Sequence, residues 1–172
     1  TSLVTSFELL FKDKADFNQD IGSWDTSLVT YLHSAFYNAE KFNNGGMPMN
    51  WDTSSVTNMY QAFRNAKPFN QCLCAWDTSK VTTMAYAFYG ANVFDQDLSC
   101  WDVSSVTALT DVFQNVQHAM SHPLCWDTDL TVAGLTIDKT CTSAGCTVLH
   151  RCGRHKHVSG GVCTACAAGK VN

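Results

Sequence analysis

Apolar side chains recur along this chain in units of about 25 residues, and most units open on a tryptophan. Consecutive tryptophans from Trp24 to Trp126 are 27, 25, 25 and 25 residues apart. With tryptophan as position 1, valine recurs at position 6, leucine or methionine at position 9, phenylalanine at position 13 and alanine or valine at position 16. Steps of 3, 4 and 3 residues lie on one helical face, so they predict a short amphipathic helix over about positions 5 to 16. The expected repeat core comprises Trp24, Trp51, Trp76, Trp101, Trp126, Phe36, Phe63, Phe88 and Phe113.

Polar residues mark the start of this helix and the turn that follows it. The Asp-Thr-Ser after most tryptophans offers side-chain oxygens to the free N–H groups of a first helical turn. Later in the unit, asparagine or aspartate follows the phenylalanine at position 19, and Ile21, Leu73 and Leu98 lie three residues before the next tryptophan. This half predicts a brief strand with its apolar residue inward. Stacked asparagines at position 20 are expected to partner buried backbone groups of a turn.

A fixed period of this length is typical of a stacked array in which each unit covers its neighbour. Units begin near residues 1, 24, 51, 76 and 101, and a degenerate one begins at 126. The insertion within NNGGMPMN predicts a bulge on one loop edge of the unit after Trp24. We therefore expect a repeat solenoid over residues 1–132 and a cysteine-rich tail over 133–172. Because the chain starts inside a repeat, it is expected to be a piece of a longer protein.

The phrases Trp-Asp-Thr-Ser-x-Val-Thr-x-Met and Phe-Asn-Gln-Asp-Ile resemble the BspA-like, leucine-rich-repeat-type unit of bacterial and protist surface proteins, which is also common in mycoplasma lipoproteins. The resemblance covers roughly residues 1–132. It implies an α/β fold, a right-handed leucine-rich-repeat-like solenoid with one short strand and one helix per unit. It also implies a secreted or cell-surface protein that acts in adhesion or protein binding, without a shared catalytic site.

Composition narrows the class of protein further. Hydrophobic residues make up 45% of the chain and charged residues 15%, which argues against a disordered chain. The net charge of −4 gives no support to nucleic-acid binding. No apolar run approaches the roughly 20 residues of a membrane helix, so no transmembrane segment is expected in this chain.

Nine cysteines indicate an oxidising location, either extracellular, at the cell surface or in an organelle lumen. Cys100 and Cys125 share a repeat position, and Cys74 lies one position away in the preceding unit. Stacked rungs about 4.7–5 Å apart would permit a Cys74–Cys100 or a Cys100–Cys125 disulfide, although small buried thiols are the alternative. An odd count leaves one cysteine free or bonded to another chain. The disulfide candidates are Cys72, Cys74, Cys100, Cys125, Cys141, Cys146, Cys152, Cys163 and Cys166.

The tail contains five of these cysteines and little apolar sequence, which favours a small disulfide-rich segment. Its run GGVCTACAAGK is similar to the start of cysteine-rich modules of receptor ectodomains. The alternative is a zinc site formed by Cys152, Cys163 and Cys166 with His155, or with His150 or His157 in its place.

No GxSxG, HExxH or phosphate-loop motif is present, so we expect neither an enzyme nor a cofactor. Threonine rows at positions 3 and 7 suit helix capping, with an ice-binding hydroxyl ladder as the alternative. The expected function is a structural or protein-binding module, with other proteins as partners. Its alternative is an accessory subunit of a larger extracellular or organelle-lumen assembly. Tyrosines are favoured at interfaces, although packing between units would also explain them; the candidates are Tyr31, Tyr37, Tyr60, Tyr86 and Tyr89.

Overall fold

A computed structural model describes residues 3–98 and 100–117, together with the backbone of two strands nearer the C-terminus. These strands are β1, Lys156–Ser159, and β2, Val162–Ala165, and they pair antiparallel from Lys156 opposite Ala165 to Ser159 opposite Val162. The other regular element in the described residues is a 3₁₀-helix, Asn44–Gly46. None of the helices in this part of the chain is long and apolar enough to cross a membrane.

Neighbouring units of the repeat are joined by backbone hydrogen bonds. N–H groups at positions 9, 11, 13 and 15 donate to carbonyls at positions 8, 10, 12 and 14 of the following unit, as Phe36 does to Ala62 at 2.8 Å. Isolated parallel bridges join consecutive residues at position 8 of each unit. They run through Ser6, Tyr31, Asn58, Thr83 and Ala108.

The intervening N–H groups bond within their own unit, three residues back. In the unit after Trp24, Ala35 donates to Leu32 at 3.1 Å and Ala39 donates to Phe36 at 3.0 Å. Positions 11 and 15 have positive φ in each described unit. They are Leu9, Asp13, Ser34, Asn38, Gln61, Asn65, Tyr86, Gly90, Asp111 and Asn115.

The α-helix expected over positions 5 to 16 is therefore absent from the described units. A right-handed helix cannot pass through residues of positive φ, so each unit winds through consecutive turns instead. The brief strand expected before each tryptophan is also absent there. At Ile21 the chain makes a turn that the Trp24 N–H closes by donating to the Ile21 carbonyl at 3.2 Å.

The side chains expected on the helical face nevertheless point into the core. Val29, Leu32, Phe36 and Ala39 are at most 1% exposed. Phenylalanines at position 13 stack from unit to unit, with 5.3 Å between the ring centroids of Phe36 and Phe63. Further stacked pairs continue this column and a second one at position 19: Phe63–Phe88, Phe88–Phe113, Phe42–Phe69 and Phe69–Phe94.

Tryptophan rings form a third column beside the phenylalanines. Trp51, Trp76 and Trp101 are 3–4% exposed, and each indole N–H donates to a backbone carbonyl, as Trp51 does to Ile21 at 2.9 Å. Such a bond satisfies the polar end of a buried indole. Trp24 is 41% exposed because it lies at the edge of the described stack, where Phe7 and Phe11 cover it on one side.

The asparagines at position 20 form the ladder that the sequence predicts. The Asn18 side-chain oxygen accepts the Asn43 N–H at 2.7 Å, and the Asn43 oxygen accepts the Asn70 N–H at 2.9 Å. A third rung forms where the Asp95 N–H donates to the Asn70 side-chain oxygen at 2.9 Å. Each of these partly buried backbone donors thus finds a side-chain acceptor in the neighbouring unit.

The Asp-Thr-Ser segment has a different role from the helix cap that the sequence suggested. The Asp25 carboxylate accepts the N–H of Ser27, two residues on, which is an Asx-turn. Buried Thr26 donates its hydroxyl to the Asp52 carbonyl of the next unit at 3.0 Å. At position 7, Thr30 donates to the Thr5 carbonyl at 3.0 Å. The threonine hydroxyls therefore tie neighbouring units together.

Candidate protein-binding surface

Four of the five tyrosines lie in one continuous group of side chains on the stack. We use "tyrosine cluster" for Tyr37, Tyr60, Tyr86 and Tyr89 together with His33, Arg64 and Lys12. Ring contacts link His33 to Tyr60 at 5.1 Å, Tyr60 to Tyr86 at 6.0 Å and Tyr86 to Tyr89 at 6.1 Å. The remaining tyrosine, Tyr31, is 45% exposed at position 8.

The centre of the cluster is a column at position 14, where cations and tyrosines alternate. From unit to unit it runs through Lys12, Tyr37, Arg64 and Tyr89. The Lys12 ammonium lies 5.6 Å from the Tyr37 ring centroid. The Arg64 guanidinium lies 5.4 Å from Tyr37 and 4.6 Å from Tyr89. These are cation–π distances, so the column fixes both the rings and the charges.

The cluster combines held rings with available polar groups. Its four tyrosines are half-buried, and none of their hydroxyls bonds to a described residue. A tyrosine that is fixed by packing and retains a free hydroxyl gives contact area and hydrogen bonding to a partner at low entropic cost. This combination suits a surface that contacts another protein.

Most cations at the edge of the cluster and along the stack already have acidic partners. His33 Nδ1 lies 3.3 Å from Glu8, and the Lys12 ammonium lies 4.0 Å from Asp13. Farther along the units, Lys41 bonds to Asp16 at 2.6 Å, and this bond holds the pKa of the Asp16 carboxyl below its usual value. Because these pairs are exposed, they contribute little to stability.

Three cysteines come together on another part of the stack. The Cys74 thiol donates to the Asp97 carbonyl at 2.8 Å, and the Cys100 sulfur lies 4.0 Å from the same oxygen. Hydrogen bonding to Cys100 and burial raise the pKa of Cys74 to about 12. Hydrogen bonding to Cys74 and burial likewise raise the pKa of Cys72. All three are free thiols. The raised pKa values of Cys72 and Cys74 favour the protonated form of these two thiols at neutral pH.

The other cysteine and metal candidates lie outside the described residues, except for the backbone of His157 in β1 and of Cys163 in β2. Those outside are Cys125, Cys141, Cys146, Cys152, Cys166 and His155, and Trp126 of the expected core lies outside as well. Within residues 3–98 and 100–117, no group of three or more His, Cys, Asp or Glu side chains is arranged to hold a metal ion.

Two open depressions lie elsewhere on the described units. One, of about 280 Å³, is lined by polar Asp20 and Asn50 and by the exposed side chains of Trp24 and Met47. The other, of about 520 Å³, lies beside Lys67 and Val93. Neither includes a residue of the tyrosine cluster.

Sequence reasoning named the tyrosines but missed Arg64, which holds three of them together. The signal was present in the unit alignment, because Lys12, Tyr37, Arg64 and Tyr89 all occupy position 14. It also missed the positive-φ residues, although position 15 holds aspartate, asparagine or glycine in each described unit. These residue types adopt positive φ most readily.

Comparison with known proteins places the repeats in a described group. A family model with the description "Mycoplasma protein of unknown function, DUF285" matches residues 1–49 and again residues 47–134. Neither a curated protein nor a solved structure matches the chain.

Proposed function

The chain belongs to the mycoplasma protein family DUF285, and we propose that it is a non-enzymatic protein-binding module of an extracytoplasmic protein, of the adhesion or scaffold type. The tyrosine cluster is the observation that carries this proposal. Aromatic residues and arginine are enriched where proteins bind each other, and here they form one connected group across several units.

The stacking of the units supports a finer proposal about the fold. We propose a right-handed solenoid of the BspA-like, leucine-rich-repeat type, in which turns take the place of the usual helix. Its support is the set of parallel bridges at position 8, which set equivalent residues of successive units side by side. Arrays of this kind present an extended surface to their partners.

An extracytoplasmic location is part of the same proposal. Nine cysteines in 172 residues are more than a reducing compartment usually requires, and Cys74 and Cys100 come close to one carbonyl oxygen. We propose that these two thiols, which are free in this structure, form a disulfide between neighbouring units on oxidation. The odd cysteine count favours a second candidate function, an accessory subunit joined to another chain of a larger assembly.

Binding of the purified chain to intact cells tests the main proposal. Fluorescently labelled protein would be incubated with cultured animal cells before and after trypsin removes their surface proteins, and bound label would be measured by flow cytometry. We expect saturable binding that trypsin treatment abolishes. The double variant Tyr37→Ala/Tyr89→Ala should lose most of it, because two rings beside Arg64 are removed.

The matched control is Leu28→Ala, which shortens a side chain that is 44% exposed outside the tyrosine cluster. This variant should bind like the unmodified chain, and circular dichroism should show that both variants remain folded. Equal binding by both variants would remove the tyrosine cluster from the proposal. Absence of trypsin-sensitive binding by the unmodified chain would contradict the adhesion role itself.

A further inference from the structure

Arg64 differs from the other cations of the tyrosine cluster in its surroundings. Three aromatic rings lie within cation–π distance of its guanidinium, with centroids 5.4 Å away for Tyr37, 5.4 Å for Tyr86 and 4.6 Å for Tyr89. Its Nε atom is buried and has no hydrogen-bond partner among the described residues. The guanidinium is thus held in place by its neighbours while its hydrogen-bonding capacity stays unused.

No carboxylate of the described residues lies within 4.0 Å of this guanidinium, whereas His33 and Lys12 each have one. Lys41 and Lys67, on other parts of the units, are paired as well. A half-buried cation without an anion nearby is unfavourable compared with one that is paired or fully hydrated. A carboxylate supplied from outside would correct that imbalance.

The geometry of the site also favours a carboxylate. The terminal guanidinium nitrogens bond to no described residue, and Arg64 as a whole is only partly buried. A guanidinium offers two parallel N–H groups that match the two oxygens of a carboxylate. Because the rings already fix the arginine, little side-chain entropy would be lost on binding.

We propose that Arg64 is an anion-binding site that anchors an acidic side chain, aspartate or glutamate, of a partner protein on the tyrosine cluster. The hydroxyls of Tyr37, Tyr86 and Tyr89 serve as additional donors to the acidic segment. The inference rests on the proposed protein-binding function and names the chemistry of the partner at its centre. Charge complementarity selects an acidic segment over a basic or neutral one.

Titration of the full chain with two capped peptides tests this site. The probes are N-acetylated, C-amidated hexaglutamate and hexaglutamine, measured by microscale thermophoresis at low and at physiological salt. We expect hexaglutamate to bind and hexaglutamine not to bind. Arg64→Gln should weaken hexaglutamate binding by about tenfold or more, since it removes a charged hydrogen-bond donor. Arg64→Lys should recover part of that loss, because it keeps the charge and loses the paired N–H groups.

Lys80→Gln is the matched control, because it removes one positive charge from an exposed residue outside the cluster. An equal loss of affinity in this variant would show that only net charge matters and would overturn the proposal. So would unchanged binding by Arg64→Gln, or a failure of hexaglutamate to bind the unmodified chain.

A measurement on the unmodified chain covers the case in which Arg64→Gln does not fold. The ring proton resonances of Tyr37, Tyr86 and Tyr89 should shift on addition of hexaglutamate, and shifts confined to other residues would refute the site.

The cell-binding assay separates the two proposals. Surface binding that survives Arg64→Gln but not the double tyrosine variant would leave the protein-binding function standing without its acidic anchor. Peptide binding that depends on Arg64, without any binding to cells, would leave the acidic anchor standing and contradict the proposed adhesion function.

Discussion

Replacing Phe63 with alanine would remove a ring from the middle of the position-13 column. Phe63 is fully buried, and its ring centroid lies 5.3 Å from that of Phe36, 5.4 Å from Phe88 and 4.1 Å from Phe69. Burying a phenylalanine side chain stabilises a protein by roughly 1.5–3 kcal/mol, and each aromatic pair adds about 0.5–1.5 kcal/mol. Allowing for the cavity left behind and for partial collapse, we expect the free energy of unfolding to fall by ~3–5 kcal/mol.

Urea unfolding of the full chain, followed by tryptophan fluorescence and by circular dichroism, would measure this loss. Phe11→Ala is the matched control, because Phe11 also occupies position 13 but is only partly buried at the edge of the described stack. Its loss should be clearly smaller than that of Phe63→Ala. A loss below ~1 kcal/mol for Phe63→Ala, or equal losses for the two variants, would refute a continuous phenylalanine core.

Three further predictions concern the backbone and the thiols. Gly90→Ala should destabilise the chain by ~1–3 kcal/mol, because φ there is +68° and a Cβ would clash with the Asn65 side-chain oxygen. Gly46→Ala is the control, because φ there is +80° but the space around the added Cβ is open. It should lower the free energy of unfolding by less than Gly90→Ala in the same assay. A larger loss for Gly46→Ala than for Gly90→Ala would contradict the close packing of the turns. Mild oxidation with a disulfide reagent should join Cys74 to Cys100, detected by peptide mass mapping; full alkylation of both after oxidation would refute the pairing. Alkylation requires the thiolate, and the pKa of Cys74 is raised to about 12, so Cys74 of the reduced chain should be alkylated more slowly when folded than when unfolded. The rate for the folded chain should rise as pH approaches 12. Equal rates for the folded and the unfolded chain at pH 8 would contradict this.

The sequence identified the inward side chains of each unit but not the backbone that carries them. Val29, Leu32, Phe36 and Ala39 are buried as the 3, 4, 3 spacing indicates. That spacing is shared by a helix and by the succession of turns seen here, so periodicity alone cannot separate them. Asparagine at Asn38 was a local signal for positive φ, since this residue type tolerates it.

Position 11 gave no comparable warning. Leu9, Gln61 and Tyr86 have no preference for positive φ, yet each adopts it. Their N–H groups donate to the following unit, as Gln61 does to Ala85 at 3.0 Å and Tyr86 to Thr110 at 2.8 Å. We infer that these bonds, together with packing of the flanking core side chains, impose the conformation. Such an effect arises between units and cannot be derived from one unit alone.

The sequence likewise predicted some residues of the tyrosine cluster but not the way they come together. The tyrosines were visible as candidates, but Arg64 gained its role only when units stacked with their position-14 residues in line. The unit that begins at Trp24 and contains Tyr37 is two residues longer than the next unit, which contains Arg64. This difference obscures the alignment of the two residues in the linear sequence. Contacts between units, rather than residue type, define this site.

That longer unit has a consequence for how such proteins can diverge. The two extra residues lie in the loop that contains the 3₁₀-helix Asn44–Gly46. There Asn44 is buried, and its side-chain oxygen accepts the Ile21 N–H at 2.8 Å. Tyr37 and Arg64 still meet at the distance that Arg64 keeps from Tyr86, 5.4 Å. Insertions and deletions at this loop edge can therefore accumulate in descendants while the spacing of the tyrosine cluster is preserved, so loop length and binding surface are free to evolve separately.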